Sequence, residues 1–378
     1  MKNLIRFESK KFLASKKNIA IIVFSFLMVI GNYSLITFFD DNMMQRSFYE
    51  IQASDLANSV SELETIVQNE PAAKTALEIT KKEADIVTSQ VSAMNQDDWP
   101  VFLKKQIEYD KLQLKGMELG TIPLEEQQIR DLHKNIALNT YLYKNDLKPE
   151  IAGTEKQGIN YAFSFLTTIS PFILIALILL LVIDILNSEK WNGTRDFMNS
   201  LPYSKLKIIH SKLILYVGYA FLIILLMSLL SFIIATLFNG AGNFNYPVIF
   251  QGISPEQISI STISGWLPKY LFITLCIILF LTLLVTLIST LIQNDFIVLT
   301  VSLVILLVPS VLSLYVPLIS TYSELFPVFY LNVKNLFSGD AALLNSNLVY
   351  TNALFCLIGY SLLTYLLLIF NLYRKKTI

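Results

Sequence analysis

Residues 270–323 read YLFITLCIILFLTLLVTLISTLIQN, then D, then FIVLTVSLVILLVPSVLSLYVPLISTYS: two uncharged blocks, 270–294 and 296–323, joined at the single acid Asp295. A helix needs about 20 apolar residues, rising ~1.5 Å each, to cross the ~30 Å hydrocarbon layer of a bilayer. Both blocks are long enough. Lipid offers the backbone no hydrogen-bond partners, so each block must satisfy its own N–H and C=O groups as a helix. With only Gln293, Asn294 and Asp295 between them, the two should form a tight helical hairpin. Pro309 and Pro317 should kink the second helix or mark its end.

Four further blocks of the same kind lie outward from this pair, at 18–39, 157–183, 213–238 and 350–373. Of the 378 residues 54% are hydrophobic and 15% charged, whereas soluble domains carry about a quarter charged residues. The first block follows basic residues, as a signal peptide would. Its 22 uncharged residues exceed a signal core, and no small-x-small cleavage site follows. It reads as a first span. The expected fold class is therefore all-α, a six-transmembrane-helix polytopic membrane protein with an extracellular helical domain between the first and second spans.

Orientation follows from Lys and Arg, which favour the cytoplasmic side. The first 17 residues hold six bases (Lys2, Arg6, Lys10, Lys11, Lys16, Lys17) against one acid, Glu8. Segment 188–212 holds Lys190, Arg195, Lys205, Lys207 and Lys212 against Glu189 and Asp196, and the tail carries Arg374, Lys375 and Lys376. Six crossings put all three on one side, so both termini are expected in the cytoplasm of a cell-membrane protein. Segment 40–159, with 21 acids against 13 bases, falls outside. The expected layout is 1–17 a cytoplasmic amphipathic interfacial helix, 18–39 span 1, 40–159 the extracellular helical domain and 160–187 span 2. A cytoplasmic coupling-helix loop (188–212), spans 3 and 4 (213–294) and span 5 (295–323) follow. Residues 324–349 form an extracellular segment apolar enough to re-enter the membrane, and 350–378 are span 6 and the tail.

The insert 40–159 is rich in Glu, Lys, Gln, Leu and Ala, which favour helices. Leu56, Val60, Leu63 and Val67 form one helical stripe, Leu77, Ala84, Val87, Val91 and Met94 a second, and Ile129, Leu132, Ile136 and Tyr143 a third. Thr121, Pro123 and Glu125-Glu126 are start signals for the last. Breaks are expected at Glu70-Pro71, Asp97 to Pro100, Gly116 to Gly120 and Lys148-Pro149, giving three or four helices packed as hairpins. A lid, a substrate vestibule, a docking module and a plain spacer all fit this pattern.

Loop 187–212 has its own signature. Ser188 can cap a helix with Glu189 in its first turn. Trp191, Met198 and Leu201 then share a face, and Pro202 stops the helix. Glu189, Gly193-Thr194, Leu201-Pro202, Lys205 and Lys212, in that order between spans two and three, resemble the signature region of type-2 ABC exporter permeases. The resemblance covers the chain except 40–159, and Leu4, Phe7, Lys11 and Phe12 fit that family's amphipathic first helix, suited to lie on the membrane surface. It implies that the stretch from Glu189 to Leu201, with Trp191, Gly193, Thr194, Met198 and Pro202, contacts a P-loop ATPase subunit. ATP and Mg would then sit on that partner, and this chain would carry no cofactor. The expected assembly pairs the chain with a second permease copy or homologue, with the cargo path between facing spans, chiefly the second and fifth.

Other signals point nowhere else. No Gly-x-x-x-x-Gly-Lys-Ser/Thr occurs, so the chain has no P-loop and is not expected to be an enzyme. Two cysteines (Cys276, Cys356) and two distant histidines (His133, His210) make a metal site improbable. The sequon at Asn192 falls on the cytoplasmic side, and the loop at 239–243 reads as flexible and external, with no strand before it. Asp184, an acid in an apolar span, invites a translocation role. Its nearness to the boundary, to water and to Lys190 favours a structural one. The basic segments read as topology determinants and contacts to anionic lipid, not nucleic acid. The expected function is the permease subunit of an ABC exporter moving an amphipathic cargo (peptide, lantibiotic or lipid) outward, as in antimicrobial peptide export or immunity. The rival from another class is an ATPase-coupled, membrane-anchored mechanotransmitter or interaction protein that moves no cargo. The topology has a direct check. Single cysteines at Ser89 and Ser204, with Cys276 and Cys356 removed, should label from opposite sides of intact cells; labelling of position 204 by an impermeant external reagent would reverse the orientation.

Overall fold

The uncharged blocks become helices. The computed structural model describes residues 2–38, 41–151, 154–169, 171–191, 193–194 and 202–374. Helix α1 spans Lys2–Ala14 and α2 Lys16–Phe38; the insert contributes α3 (Asp41–Val67), α4 (Lys74–Asn95), α5 (Trp99–Glu118) and α6 (Glu126–Lys144). Then come α7 (Gly158–Thr168), α8 (Pro171–Val182), α9 (Ser188–Trp191) and α10 (Lys205–Asn239), the strands β1 (Pro247–Gln251) and β2 (Ile258–Thr262), α11 (Ile263–Leu291) and α12 (Asp295–Leu312). Short helices α13 (Pro317–Thr321), α14 (Val333–Ser338) and α15 (Asp340–Leu344) precede the last long one, α16 (Tyr350–Arg374).

Among the described residues five helices, α2, α10, α11, α12 and α16, are long and apolar enough to cross a membrane, and α7 with α8 makes a sixth crossing if the pair is one span. That second span is not the continuous helix expected over 160–187. It bends by 78° between α7 and α8, and it ends at Val182. Ile169 already leaves helical geometry, at φ −56° and ψ 122°. Pro171 supplies the reason: it lacks an N–H to continue the ladder. Helix α11 is the centre of the bundle, 72% of its apolar window being buried within the chain against 17% for α12, and it packs against α8, α10, α12 and α16. Pro309 lies inside α12, which stops at Leu312, and Pro317 opens α13. The fifth crossing is thus shorter than 295–323, and the residues after it fold into short helical turns.

The hairpin β1–β2 between the third and fourth spans is a feature the sequence reading lacks; its register pairs Pro247 with Thr262 and Gln251 with Ile258. Val248, Ile249 and Phe250 and the Ile-Ser-Ile-Ser-Thr of β2 are strand formers, but runs of five give too weak a period to stand out beside the spans. The loop at 239–243, read as flexible, is tied down: the Gly158 and Ile159 N–H groups donate to the carbonyls of Gly240 and Ala241, both at 2.8 Å.

The insert forms four helices packed as consecutive hairpins, α3 on α4, α4 on α5 and α5 on α6. Asp98 caps α5 by accepting from the Val101 N–H at 3.1 Å. The last helix starts at Glu126, later than the Thr121 and Pro123 signals, with Gln128 closing back on the Glu125 N–H at 2.8 Å. Its interior is more polar than the apolar stripes imply. In α4 the buried face is Ile79, Glu83, Ile86, Val87, Gln90 and Ala93. Gln106 takes a hydrogen bond from Gln90 at 2.6 Å and gives one to Asp110 at 2.8 Å, while Gln113 donates to Glu83 at 2.6 Å. The insert is fastened to the hairpin by the buried Arg130, whose guanidinium donates to the carbonyls of Ile253 (2.6 Å) and Gly252 (2.9 Å). Gln251 returns a bond to the Arg130 carbonyl at 2.8 Å. On the hairpin's other flank Gly339, at φ +92°, packs so close to the Gln251 carbonyl that no Cβ fits.

Burial pushes the Asp110 carboxyl up to about 6. Because the folded value lies above the unfolded one, the folded insert holds its proton longer. This stabilisation is complete below the unfolded value of ~4 and is lost as pH rises through ~6. Asp110→Asn, which keeps the shape without the charge, should raise the thermal midpoint of the full chain at pH 7.5 and leave it nearly unchanged at about pH 3, below the unfolded value. The expected gain is on the order of 1–2 kcal/mol. An equal effect at both pH values would remove the charge from the account.

Candidate coupling site at the loop between the second and third spans

The loop region begins where α8 ends. A turn at 183–187 carries Asp184 and Asn187, and α9 is a single turn, Ser188–Trp191. Gly193 then takes φ +63°, a conformation open chiefly to glycine, and the Thr194 N–H bonds back to the Glu189 carbonyl at 2.9 Å. This explains the Glu-x-x-x-Gly-Thr spacing: the motif closes a helical turn on itself. The continuous helix expected through Leu201 is interrupted at Gly193, because a left-handed residue cannot lie inside a right-handed helix. Met198 and Leu201 lie outside the described residues, and Pro202 falls in a bend before α10. Ser204 caps α10, accepting from the Lys207 N–H at 3.3 Å.

Three segments meet at Lys212, in the third turn of α10. Its side chain is 1% exposed, and its Nζ lies 2.7 Å from Glu189 Oε1 and 3.2 Å from Glu8 Oε1. Glu8 is itself 2% exposed. Lys11 approaches Glu189 at 3.9 Å. An isolated charge in such a place costs several kcal/mol of lost hydration, so these groups are tolerable only together. Burial pushes the Lys11 ammonium below its ordinary pKa, Lys212 adds to this by repulsion, and Glu8 and Glu189 oppose it.

Helix α1 is held there by its face Leu4, Glu8 and Phe12, all buried. Phe7, expected on the apolar face, points outward at 41% exposed. The i, i+4 spacing of Leu4, Glu8 and Phe12 selects the inner face. Phe12 stacks on Tyr219 with ring centres 4.5 Å apart and meets Tyr216 edge-on at 5.2 Å. Ser9 and Tyr219 share a hydroxyl hydrogen bond of 2.6 Å.

A second charge cluster ties the same end of the bundle. Asp184 pairs with Lys17 at 2.7 Å and accepts from the Tyr216 hydroxyl at 3.5 Å. Lys17 also donates to the Leu180 carbonyl at 2.8 Å. Asn187 donates to Asp295, at the start of α12, at 2.5 Å. His210 shares a 2.6 Å hydrogen bond with Tyr365 of α16. Of the residues singled out in the sequence, the structure thus joins Glu189 to Lys212 and places Asp184 in a structural ion pair. Glu8, Lys11, Lys17, Asn187 and Asp295 complete these clusters, and the sequence reading named none of them as a site residue. The visible signal was Glu8, a lone acid among six bases on a buried stripe.

At the far end of the bundle lies a cavity of about 390 Å³ walled by Phe163, Trp266, Phe337 and Tyr246, with Glu150 and Lys334 among its polar lining. No curated protein and no solved structure matches the chain. The profile of the ABC-2 family transporter proteins matches residues 2–338, which takes in α1, the loop, the insert and five of the six crossings. A bundle of membrane-spanning helices whose loop is tied by buried charge to its first helix and third span is, on that match, the membrane permease subunit of an ABC transporter: the chain belongs to the ABC-2 transporter family.

Proposed function

We propose that the chain is the membrane half of an exporter in which a separate P-loop ATPase drives the spans through α9 and α1. The observation that carries this is the shared burial of Lys212 with Glu189 of the loop and Glu8 of the first helix. A force applied to either cytoplasmic element reaches α10 through an ion pair that cannot separate without stranding a charge. The loop and the third span would therefore move as one body, the kind of rigid coupling by which a soluble partner reorients packed helices. Both termini would face the cytoplasm, with the insert on the outer face of the cell membrane.

Two copies of the permease, or this chain and a homologue, would pair and bind two ATPase subunits. The outward faces of α12, with Val304, Ile305 and Val308 all exposed, suit either lipid or a facing span. The aromatic cavity at the outer end supports an amphipathic cargo, since its walls are apolar and its lining carries charges of both signs. Peptide, lantibiotic and lipid cargoes all answer to that description. The insert, bound to the hairpin through Arg130, would then act as a fixed wall above this cavity.

Glu189→Gln and Trp191→Ala test the loop's role directly. Truncated aromatic anchors at interfaces often cost ~2 kcal/mol or more, which corresponds to roughly a thirtyfold loss. Both variants should insert normally, yet Trp191→Ala should retain the co-expressed ATPase roughly thirtyfold less well, and both should lose transport in proteoliposomes. Glu62→Ala on the exposed face of α3 is the control. Parent-like ATPase capture and transport in both loop variants would reduce the loop to a connector. Full ATPase coupling without movement of any amphipathic probe would favour the mechanotransmitter.

A further inference from the structure

A cavity of about 370 Å³ opens where α1 turns into α2, lined by Lys11, Ser15, Lys16, Asn18, Ser188 and Tyr216, together with Phe12, Ala14 and Asp184. It is a polar recess at the edge of an apolar surface. Leu13, Ile19 and Val23, neighbours of its lining along α1 and α2, are 46–49% exposed, as expected for side chains facing hydrocarbon. The recess therefore sits at the height of lipid headgroups.

Its lining is short of partners. The Ser188 hydroxyl and the Lys11 ammonium are buried and make no hydrogen bond among the described residues, and Asn18 Oδ1 lacks a donor. Ser188 is 9% exposed and Asn18 1%. The one acid in the lining, Asp184, is already matched by Lys17 at 2.7 Å. Lys16 is exposed at the rim. The first turn of the 23-residue helix α2 begins there as well, and helix N-termini favour anions. Buried donors without acceptors are costly, and here two of them, a rim lysine and a helix dipole surround a single polar space.

We propose that this recess binds the phosphate of an anionic phospholipid headgroup. The phosphate would accept from Lys11, Lys16 and Ser188, and a headgroup hydroxyl would supply the donor that Asn18 Oδ1 lacks. Phosphatidylglycerol has both groups; phosphatidylcholine has no hydroxyl or N–H to give. The exposed apolar residues beside the recess favour a lipid over free phosphate, because the acyl chains would cover them. A bound lipid would brace α1 against the loop turn through Lys11 and Ser188, beside the ion pairs of Lys212.

The test uses the purified full chain without any ATPase, so it stands apart from the proposed export activity. Native mass spectrometry would follow lipid retained after the chain is exchanged into mixed phosphatidylglycerol and phosphatidylcholine. One phosphatidylglycerol should persist per chain. Lys16→Gln, at an exposed position, should weaken retention about fivefold, the effect of one basic residue near an anionic surface. Ser188→Ala should weaken it as well. Millimolar inorganic phosphate that leaves the lipid in place identifies the lipid as occupant. Phosphate that displaces it, and protects the chain from heat in phosphatidylcholine alone, assigns the recess to the free anion and overturns the lipid. Equal retention of both lipids by parent and variants overturns the site itself.

Discussion

The loop end of this bundle depends on how a lysine is kept in a place that water does not reach. Lys212 projects from the third span at 1% exposure, with a carboxylate from each of two other segments on its ammonium. Neither carboxylate belongs to its own helix. The cost of burying the ammonium therefore falls on the tertiary arrangement: α1 must lie against α10, and α9 must turn back toward it. Gly193 makes that turn sharp enough by taking φ +63°. Lys17 with Asp184 repeats the device between the first span and the end of the second. A fold assembled in this way resists separation of its parts at this end, although its spans are otherwise held mostly by apolar contact.

The opposite end is fastened through backbone carbonyls. Arg130 crosses from the insert to two carbonyls of the hairpin connection, and Gly339 lets α14 close on Gln251. The insert is thus anchored to the segment between the third and fourth spans, far in sequence from its own ends. Helix α10 and the hairpin that follows it form one continuous stretch of chain, which links the loop end to the insert's anchor.

Most of the architecture was legible because bilayer physics is simple: uncharged blocks of the right length announce themselves, and the insert's helices follow from composition and stripes. What escaped was local. The bend before Pro171 was written in that proline, but an uncharged neighbourhood hid it. The hairpin was too short for its period to show. In the insert, Glu83 and Gln90 of α4 are buried where Gln113 and Gln106 of α5 reach them, a condition that cannot be read from one helix at a time. At the site, Glu189 and Lys212 stood out through motif spacing, whereas Glu8, Lys17 and Asp295 counted only as boundary charges. Their roles arise from partners 100 and more residues away, which periodicity does not report.

The central claim is that Lys212 makes the loop and the third span one mechanical unit. A double-mutant cycle on the unfolding free energy of the full chain in mixed micelles, with Glu189→Gln, Lys212→Gln and the pair, measures it most directly. Removing one member of a buried pair strands the other, at a cost of roughly 3–5 kcal/mol. The account predicts that the double variant loses at least ~1 kcal/mol less than the two single losses combined. Losses that add to within ~0.5 kcal/mol would mean that the two residues do not act on each other, and would contradict it.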